Sequence, residues 1–282
     1  MIRPALAALC LCLGTAAFAH AAQPELDIKL EPYRKSIAVH ATVAGQPGFF
    51  GFDSAGGISL VSPQLAQKAG LQPWGMLSGY SMTRNRFDIP QLEGLPVTLG
   101  GRSWTPRGLG VMDVAPLYAK DNTLPIDGNL ALDLFEGKVV TLDVPHMHLY
   151  VESPDSLRER VAGAIEVPMR VAREWQGRTL SVSLGVKSPK GLVWFELDSG
   201  NGGVVLVSKP FASLFNLDPA KEGPQKVRLE LAPGYTLESE MGMTPDMIID
   251  GNVGMILLRQ AVVTLDLANS RAWIKPVPPA QP

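Results

Sequence analysis

The chain has 282 residues, with 25 Lys and Arg against 27 Asp and Glu, a formal net charge of −2. That balance excludes an electrostatic case for nucleic acid, which needs a strongly basic face. With 28 Gly, 24 Pro and short apolar runs rich in Val and Leu, the composition predicts a mostly β protein with many turns, in one large domain or two of ordinary size.

The first residues set an expected compartment. Arg3 precedes an apolar run from Ala5 to Phe18, and Ala19-His20-Ala21 fits a small-x-small cleavage site. That layout predicts a secretory signal peptide over residues 1–21. The run is shorter than the ~20 consecutive apolar residues of a membrane span; a retained N-terminal anchor is the alternative. Removing the segment takes away Arg3 and no acidic residue, leaving 24 Lys and Arg against 27 Asp and Glu. Cys10 and Cys12 both lie inside it, and neither follows a lipoprotein-type small-residue box. A cleaved chain therefore has no disulfide framework, thiol nucleophile or Cys-zinc site. Export without disulfides suits a bacterial periplasm. The expectation is an exported protein, periplasmic or secreted, with no membrane association after cleavage.

From residue 25 the elements follow in order. A strand over Ile37–Val43 leads through a turn into a second apolar strand, Gly48-Phe49-Phe50-Gly51-Phe52, which ends at Asp53-Ser54-Ala55-Gly56-Gly57. A buried strand, Ile58-Ser59-Leu60-Val61-Ser62, comes next, then a short helix near Gln64–Ala69. The stretch from Gly75 to Arg84 places a Gly- and Ser-bearing tip between β-like arms. It reads either as a mobile flap, with Ser78, Gly79 and Tyr80 as candidates, or as an ordinary surface hairpin. Ile126-Asp127-Gly128-Asn129-Leu130 follows, then the closing strands Val139-Val140-Thr141-Leu142-Asp143 and Leu149-Tyr150-Val151.

The chain then repeats itself. Strands over Leu180–Val186 and Gly191–Leu197 lead to Asp198-Ser199-Gly200-Asn201-Gly202-Gly203, then Val204-Val205-Leu206-Val207-Ser208 and a helix near Pro210–Phe215. Ile249-Asp250-Gly251-Asn252-Val253 parallels residues 126–130, and Val262-Val263-Thr264-Leu265-Asp266 repeats residues 139–143 letter for letter. Four blocks in one order point to an internal duplication. The expected units are an N-terminal lobe over 25–152, a linker over 153–164 (helix or loop), a C-terminal lobe over 165–275 and a disordered tail over 276–282. The halves differ in the middle: Asp53 to Asp127 spans 74 positions and Asp198 to Asp250 spans 52. The first half thus carries 22 more, in a stretch that includes the flap candidate.

A single Asp-Ser-Gly is ordinary turn chemistry. Here, each Asp is flanked by apolar strands and has no sequence-adjacent cation, so a lone buried charge would be costly. Two carboxyls meeting between repeated halves and sharing a proton would relieve that cost.

On Phe52-Asp53-Ser54-Ala55 and Leu197-Asp198-Ser199-Gly200, followed by Asn129-Leu130-Ala131 and Asn252-Val253-Gly254, the chain resembles the retropepsin and pepsin superfamily, in its bacterial exported form with two retropepsin-like halves. The resemblance implies a bilobal acid-protease fold: two pseudo-twofold-related β-barrel-like lobes with short helices. It implies an aspartic endopeptidase with Asp53 and Asp198 as catalytic dyad, acting on a peptide or protein substrate without cofactor or metal. Ser54 and Ser199 would bond across the lobe interface, or else cap their own turns. Both copies of the motif lie on one chain, so a monomer suffices. Two positions depart from the pattern: Ala55 and Ala131 stand where the family has Gly, while Gly200 and Gly254 keep it. The departures motivate an alternative, the same fold as a weakened or inactive periplasmic binding protein for a peptide or small ligand, or as a structural protein.

Other chemistries lack their signatures: there is no Gly-x-Ser-x-Gly elbow, P-loop or His-Glu-x-x-His stretch. His40 reads as a structural strand residue, and His146 and His148 suggest no third metal ligand.

Overall fold

The computed structural model describes residues 22–118 and 126–278. The expected signal peptide, and the end of the expected tail, lie outside the described residues. Among the described residues no helix is long and apolar enough to cross a membrane.

Two β lobes stand on one shared sheet. Its six strands run Leu26–Lys29, His148–Val151, Val139–Asp143, Ala261–Asp266, Arg271–Pro276 and Ile165–Ala172, every neighbour antiparallel. The two identical Val-Val-Thr-Leu-Asp segments are the central neighbours. Thr141 lies opposite Thr264, and their Oγ1 atoms are 2.9 Å apart. The closing strands of both halves therefore belong to this common base. Their β-branched residues suit a pleated, covered surface.

Above the base, the same pairings occur twice. Ser36–Val43 and Gln46–Phe52 form a hairpin whose turn residues, Ala44 and Gly45, both have positive φ (47° and 81°), the backbone a tight two-residue hairpin needs. Gly128–Leu130 lies parallel to Gln46–Phe52 and antiparallel to Leu60–Val61, which has Leu109–Val111 as its parallel partner. In the second half Ser181–Ser188 pairs with Gly191–Asp198. Gly251–Gly254 lies parallel to Gly191–Asp198 and antiparallel to Val205–Val207, whose parallel partner is Tyr235–Met243.

The halves diverge at closure. In the second, Gln225–Ala232 pairs with Tyr235–Met243 and returns to Ser181–Ser188 through Lys187 and Glu230, closing a six-stranded barrel. In the first, the hairpin of Trp74–Tyr80 and Arg86–Leu92 does not return to Ser36–Val43, which pairs instead with Val97–Leu99. That lobe is a half-barrel. Both halves thus have a long hairpin after the Asp turn, so the flap candidate is not what makes the first half longer. The additional chain is the small hairpin Val97–Leu99 and Arg102–Trp104, together with the segment around the Ala115–Tyr118 helix.

One apolar core runs through both lobes and the base, with Phe50, Phe52, Phe135 and Phe195 fully buried. A smaller cluster of Tyr33, Ala38, Ile58, Leu60, Leu77, Ile89, Val114, Ala115 and Ile126 roots the first-lobe hairpin. The linker contains a helix, Pro154–Arg160: the Ser153 Oγ accepts the Ser156 N–H, and the Ser156 Oγ accepts the Ser153 N–H, satisfying two otherwise orphaned donors. The first residues of the expected tail are ordered. Pro276 pairs with Ala261 in the base sheet, and the Val277 N–H donates to the Gln260 carbonyl at 2.9 Å.

Candidate functional site

Asp53 and Asp198 each open a β-turn after their strand. The Gly56 N–H donates to the Asp53 carbonyl, and the Asn201 N–H to the Asp198 carbonyl, both at 3.1 Å. Both side chains reach the floor of a cleft between the lobes, a cavity of about 320 Å³. There the two carboxyls lie side by side: a Cβ placed on Gly200 would be 2.8 Å from the Asp53 Oδ2 and 3.1 Å from the Asp198 Oδ1.

The turns are joined across the lobes by their serines. The Ser54 N–H donates to the Ser199 Oγ and the Ser199 N–H to the Ser54 Oγ, each at 2.9 Å. The Ser54 Oγ then donates to the Leu197 carbonyl at 2.7 Å, and the Ser199 Oγ to the Phe52 carbonyl at 2.8 Å. Both residues are completely buried. Of the two roles open to them, the cross-lobe one is observed. Two further bonds tie the lobes here: the Ser36 Oγ donates to the Ser199 carbonyl at 2.5 Å, and the Leu180 N–H to the Gly57 carbonyl at 2.7 Å.

The environments of the two aspartates differ. The Asp53 Oδ1 accepts the Ala55 N–H at 3.0 Å. The Asp198 Oδ1 accepts the Asn201 N–H at 3.0 Å, and its Oδ2 accepts the Asn252 Nδ2 at 2.8 Å. Asn252 is itself fixed by the Asn201 Nδ2, which donates to its Oδ1 at 2.7 Å. Burial, above all, raises the pKa of both aspartates. The neighbouring Asp198 charge pushes Asp53 further up, while the donors around Asp198 work the other way. The ionised form is therefore better supported at Asp198 and the proton better supported at Asp53.

Where the first half departs from the glycine pattern, the backbone differs as well. Ala131 is fully buried with φ −131° and ψ 179°, and its N–H donates to the Ser59 Oγ at 3.0 Å. Ser59 is held in turn by Asp133, whose Oδ1 accepts the Ser59 Oγ at 2.6 Å. Gly254 has φ −130° but ψ −123°, and a Cβ there would overlap the Asp198 carbonyl. A methyl fits at one position and not at the other. A Cβ at Gly200 would lie 2.8 Å from the Asp53 Oδ2, whereas Ala55 carries its methyl at the edge of the cleft.

The first-lobe hairpin covers the cleft, although Ser78, Gly79 and Tyr80 lie in its first arm. The tip is Ser81–Asn85, closed by the Ser81 N–H donating to the Asn85 carbonyl at 2.8 Å. Ser78 is not among the residues that line this cavity; its exposed hydroxyl bonds Asp88 at 2.5 Å. Tyr80 lines the cavity and is 57% exposed. Gly79 lies so close to Trp175 that a Cβ would overlap the indole. The tip also meets the second lobe: the Met82 carbonyl accepts the Ile248 N–H at 3.0 Å, and Arg84 pairs with Asp246 at 2.8 Å.

Sequence reasoning missed Glu196, Glu174, Trp175 and Asn252, all of which the fold brings to this site. Glu196 had a readable signal, a lone carboxylate in the apolar run Gly191–Leu197. Trp175 had none, since only the tertiary contact with Gly79 places it. Among the described residues the histidines do not converge: His40 contacts Glu31 at 3.3 Å, His146 contacts Asp143 at 2.6 Å and His148 contacts Asp27 at 2.6 Å. Asp127 and Asp250 are structural. Their Oδ2 atoms accept the Phe49 and Trp194 N–H groups at 2.8 and 3.2 Å.

No family model matches the chain, and no curated protein matches it.

Proposed function

We propose that this protein is an aspartic endopeptidase of the two-lobed acid-protease fold, with its halves related by a pseudo-twofold axis and Asp53 and Asp198 as the dyad. The observation that carries this reading is the pair of adjacent carboxyls at the floor of an interlobe cleft. The repeated strand pairings and the reciprocal serine bonds support the fold assignment. In the same reading the chain is exported and works as a monomer, without cofactor or metal.

The chemistry follows from one shared proton. Like charges in contact do not both ionise easily, so the pair holds one proton over a broad range. The ionised carboxylate, favoured at Asp198 by Asn252 and the Asn201 N–H, takes a proton from a water as the water oxygen attacks the scissile carbonyl carbon. Protonated Asp53 donates to the carbonyl oxygen. The tetrahedral gem-diol collapses with cleavage of the C–N bond: the proton held at Asp198 passes to the leaving amine nitrogen, and one hydroxyl returns its proton to Asp53 as the C=O bond reforms, which restores the dyad.

A binding protein with a silent dyad is the second reading, favoured by the contacts of the hairpin tip with Ile248 and Asp246, which cover the cleft. Digestion of a peptide library from pH 3 to 8, with and without the double Asp→Asn change, separates the two. Cleavage that depends on the carboxylates supports the enzyme, and ligand retention without cleavage supports the binding protein.

A further inference from the structure

We propose that the cleft selects peptides carrying a lysine or arginine side chain beside the scissile bond, seated against Glu196. The proposal rests on the endopeptidase reading and names the substrate class of that same site.

Glu196 stands two residues before Asp198 on one strand, so both side chains leave the same face. Both line the same cavity, whose lining also includes Thr179 and Trp175; Ser181 and Glu174 are neighbours of Glu196 there. The paired position in the first half is Gly51, so the carboxylate is on the Asp198 side only.

Among the described residues Glu196 has no ion-pair partner. Its neighbours are the Ser181 hydroxyl and the Asn252 Nδ2, the latter at 3.5 Å and already committed to Asp198 at 2.8 Å. Among the described residues, no Lys, Arg or His lines this cavity; its charged lining groups are Asp53, Glu174, Glu196 and Asp198. Burial first, then Asp198 and Asp53, push the Glu196 carboxyl up to about 8. The remaining walls are largely apolar, among them Ile58, Phe87, Ile89 and Met112. Below about pH 8 the empty cleft holds Glu196 protonated, and a neutral side chain leaves it so. An ammonium or guanidinium favours the carboxylate instead, releasing that proton and pairing with the charge where low polarity strengthens the attraction. The Trp175 indole offers an apolar surface to the aliphatic stem of such a side chain.

The test uses matched fluorogenic peptides in which Lys, norleucine or Glu is placed in turn at each position around the cleaved bond. In the wild-type protein kcat/KM should favour Lys over norleucine by about tenfold or more at one position, the order expected for a desolvated charge pair, with Glu disfavoured. In Glu196→Gln, the Lys-to-norleucine ratio should fall to near one, with the melting temperature showing that the fold is kept. Cleavage without a basic preference, or a preference that survives Glu196→Gln, overturns the proposal and leaves the dyad reading standing. A parallel arm measures fluorescence anisotropy of the same peptides on Asp53→Asn protein. If the wild type cleaves nothing, a Glu196-dependent Lys preference in binding sustains cation selection and drops the dyad reading. Equal or absent binding overturns cation selection too.

Discussion

The backbone N–H of Ser54 bonds the Oγ of Ser199, and the backbone N–H of Ser199 bonds the Oγ of Ser54, both at 2.9 Å and fully buried. Each hydroxyl then donates to the strand end of the opposite lobe, at Leu197 and Phe52. The two turns that carry the aspartates are thus tied to each other, so the lobe interface and the dyad geometry depend on the same four bonds.

Ser54→Ala and Ser199→Ala should each destabilise the protein by about 2–3 kcal/mol, because each leaves one N–H and one carbonyl buried without a partner. The matched bonds predict similar losses for the two variants, read as shifts in urea midpoint at constant slope. A loss confined to one of them would show that the interface is held by that serine alone.

Asp53→Asn and Asp198→Asn should each reduce turnover about a thousandfold or more, and the double variant should be hardly worse, since groups acting as one unit are not additive. Because burial raises both carboxyls, the pH profile of kcat/KM should keep its activity toward neutral pH, above the range of free carboxyls. Peptide cleavage that persists in the double variant would falsify the dyad.

Gly254→Ala should disrupt the second lobe, costing about 3 kcal/mol or more, because its Cβ would overlap the Asp198 carbonyl. Ala131→Gly should instead cost about 1 kcal/mol, through a lost buried methyl and a more flexible unfolded chain, with no rise in activity. The extended backbone at Ala131 already accommodates its side chain. A gain in turnover on Ala131→Gly would mean that the methyl distorts the first lobe.

Stability should fall as pH rises from about 4.5 to about 8. A carboxyl whose pKa is higher in the fold than in the unfolded chain binds its proton more tightly when folded. Its contribution is complete below the unfolded value and lost as pH passes through the folded one. Glu196, at about 8, faces Asp53, Asp198 and Glu174, and Asp133, raised by burial to about 6, adds to the same trend. Glu196→Gln should flatten the upper part of this profile and raise the urea midpoint at pH 8 relative to wild type. A parallel shift at every pH would remove Glu196 as the source.

Tyr80→Ala should weaken turnover or peptide binding severalfold with little change in melting temperature. Tyr80 is among the residues lining the cleft and is more than half exposed, so its loss opens no cavity in the core. Equal activity in the variant would exclude Tyr80 from contact with the ligand.

The duplication alone determined much of this protein. The repeated blocks at Asp53 and Asp198, Asp127 and Asp250, and residues 139–143 and 262–266 predicted two β-rich halves, their strand order and the pair of turn aspartates, because apolar runs and turn residues are local signals. Other features depend on which distant segments meet. The two Val-Val-Thr-Leu-Asp strands pair with one another in a shared base, and one lobe closes while the other stays open because Ser36–Val43 takes Val97–Leu99 as its partner. The helix at Pro154–Arg160 was left open by composition, and its reciprocal serine cap settled it. Ala131 looked like a defect beside Gly254, but a residue letter carries no ψ: the extended backbone at Ala131 makes room for the methyl that the turned backbone at Gly254 forbids. Glu196 was legible only as a misplaced charge in an apolar strand. Tertiary structure put it in the cleft beside two more carboxyls, because a strand's alternation sets which face a side chain takes and only the fold decides what that face meets.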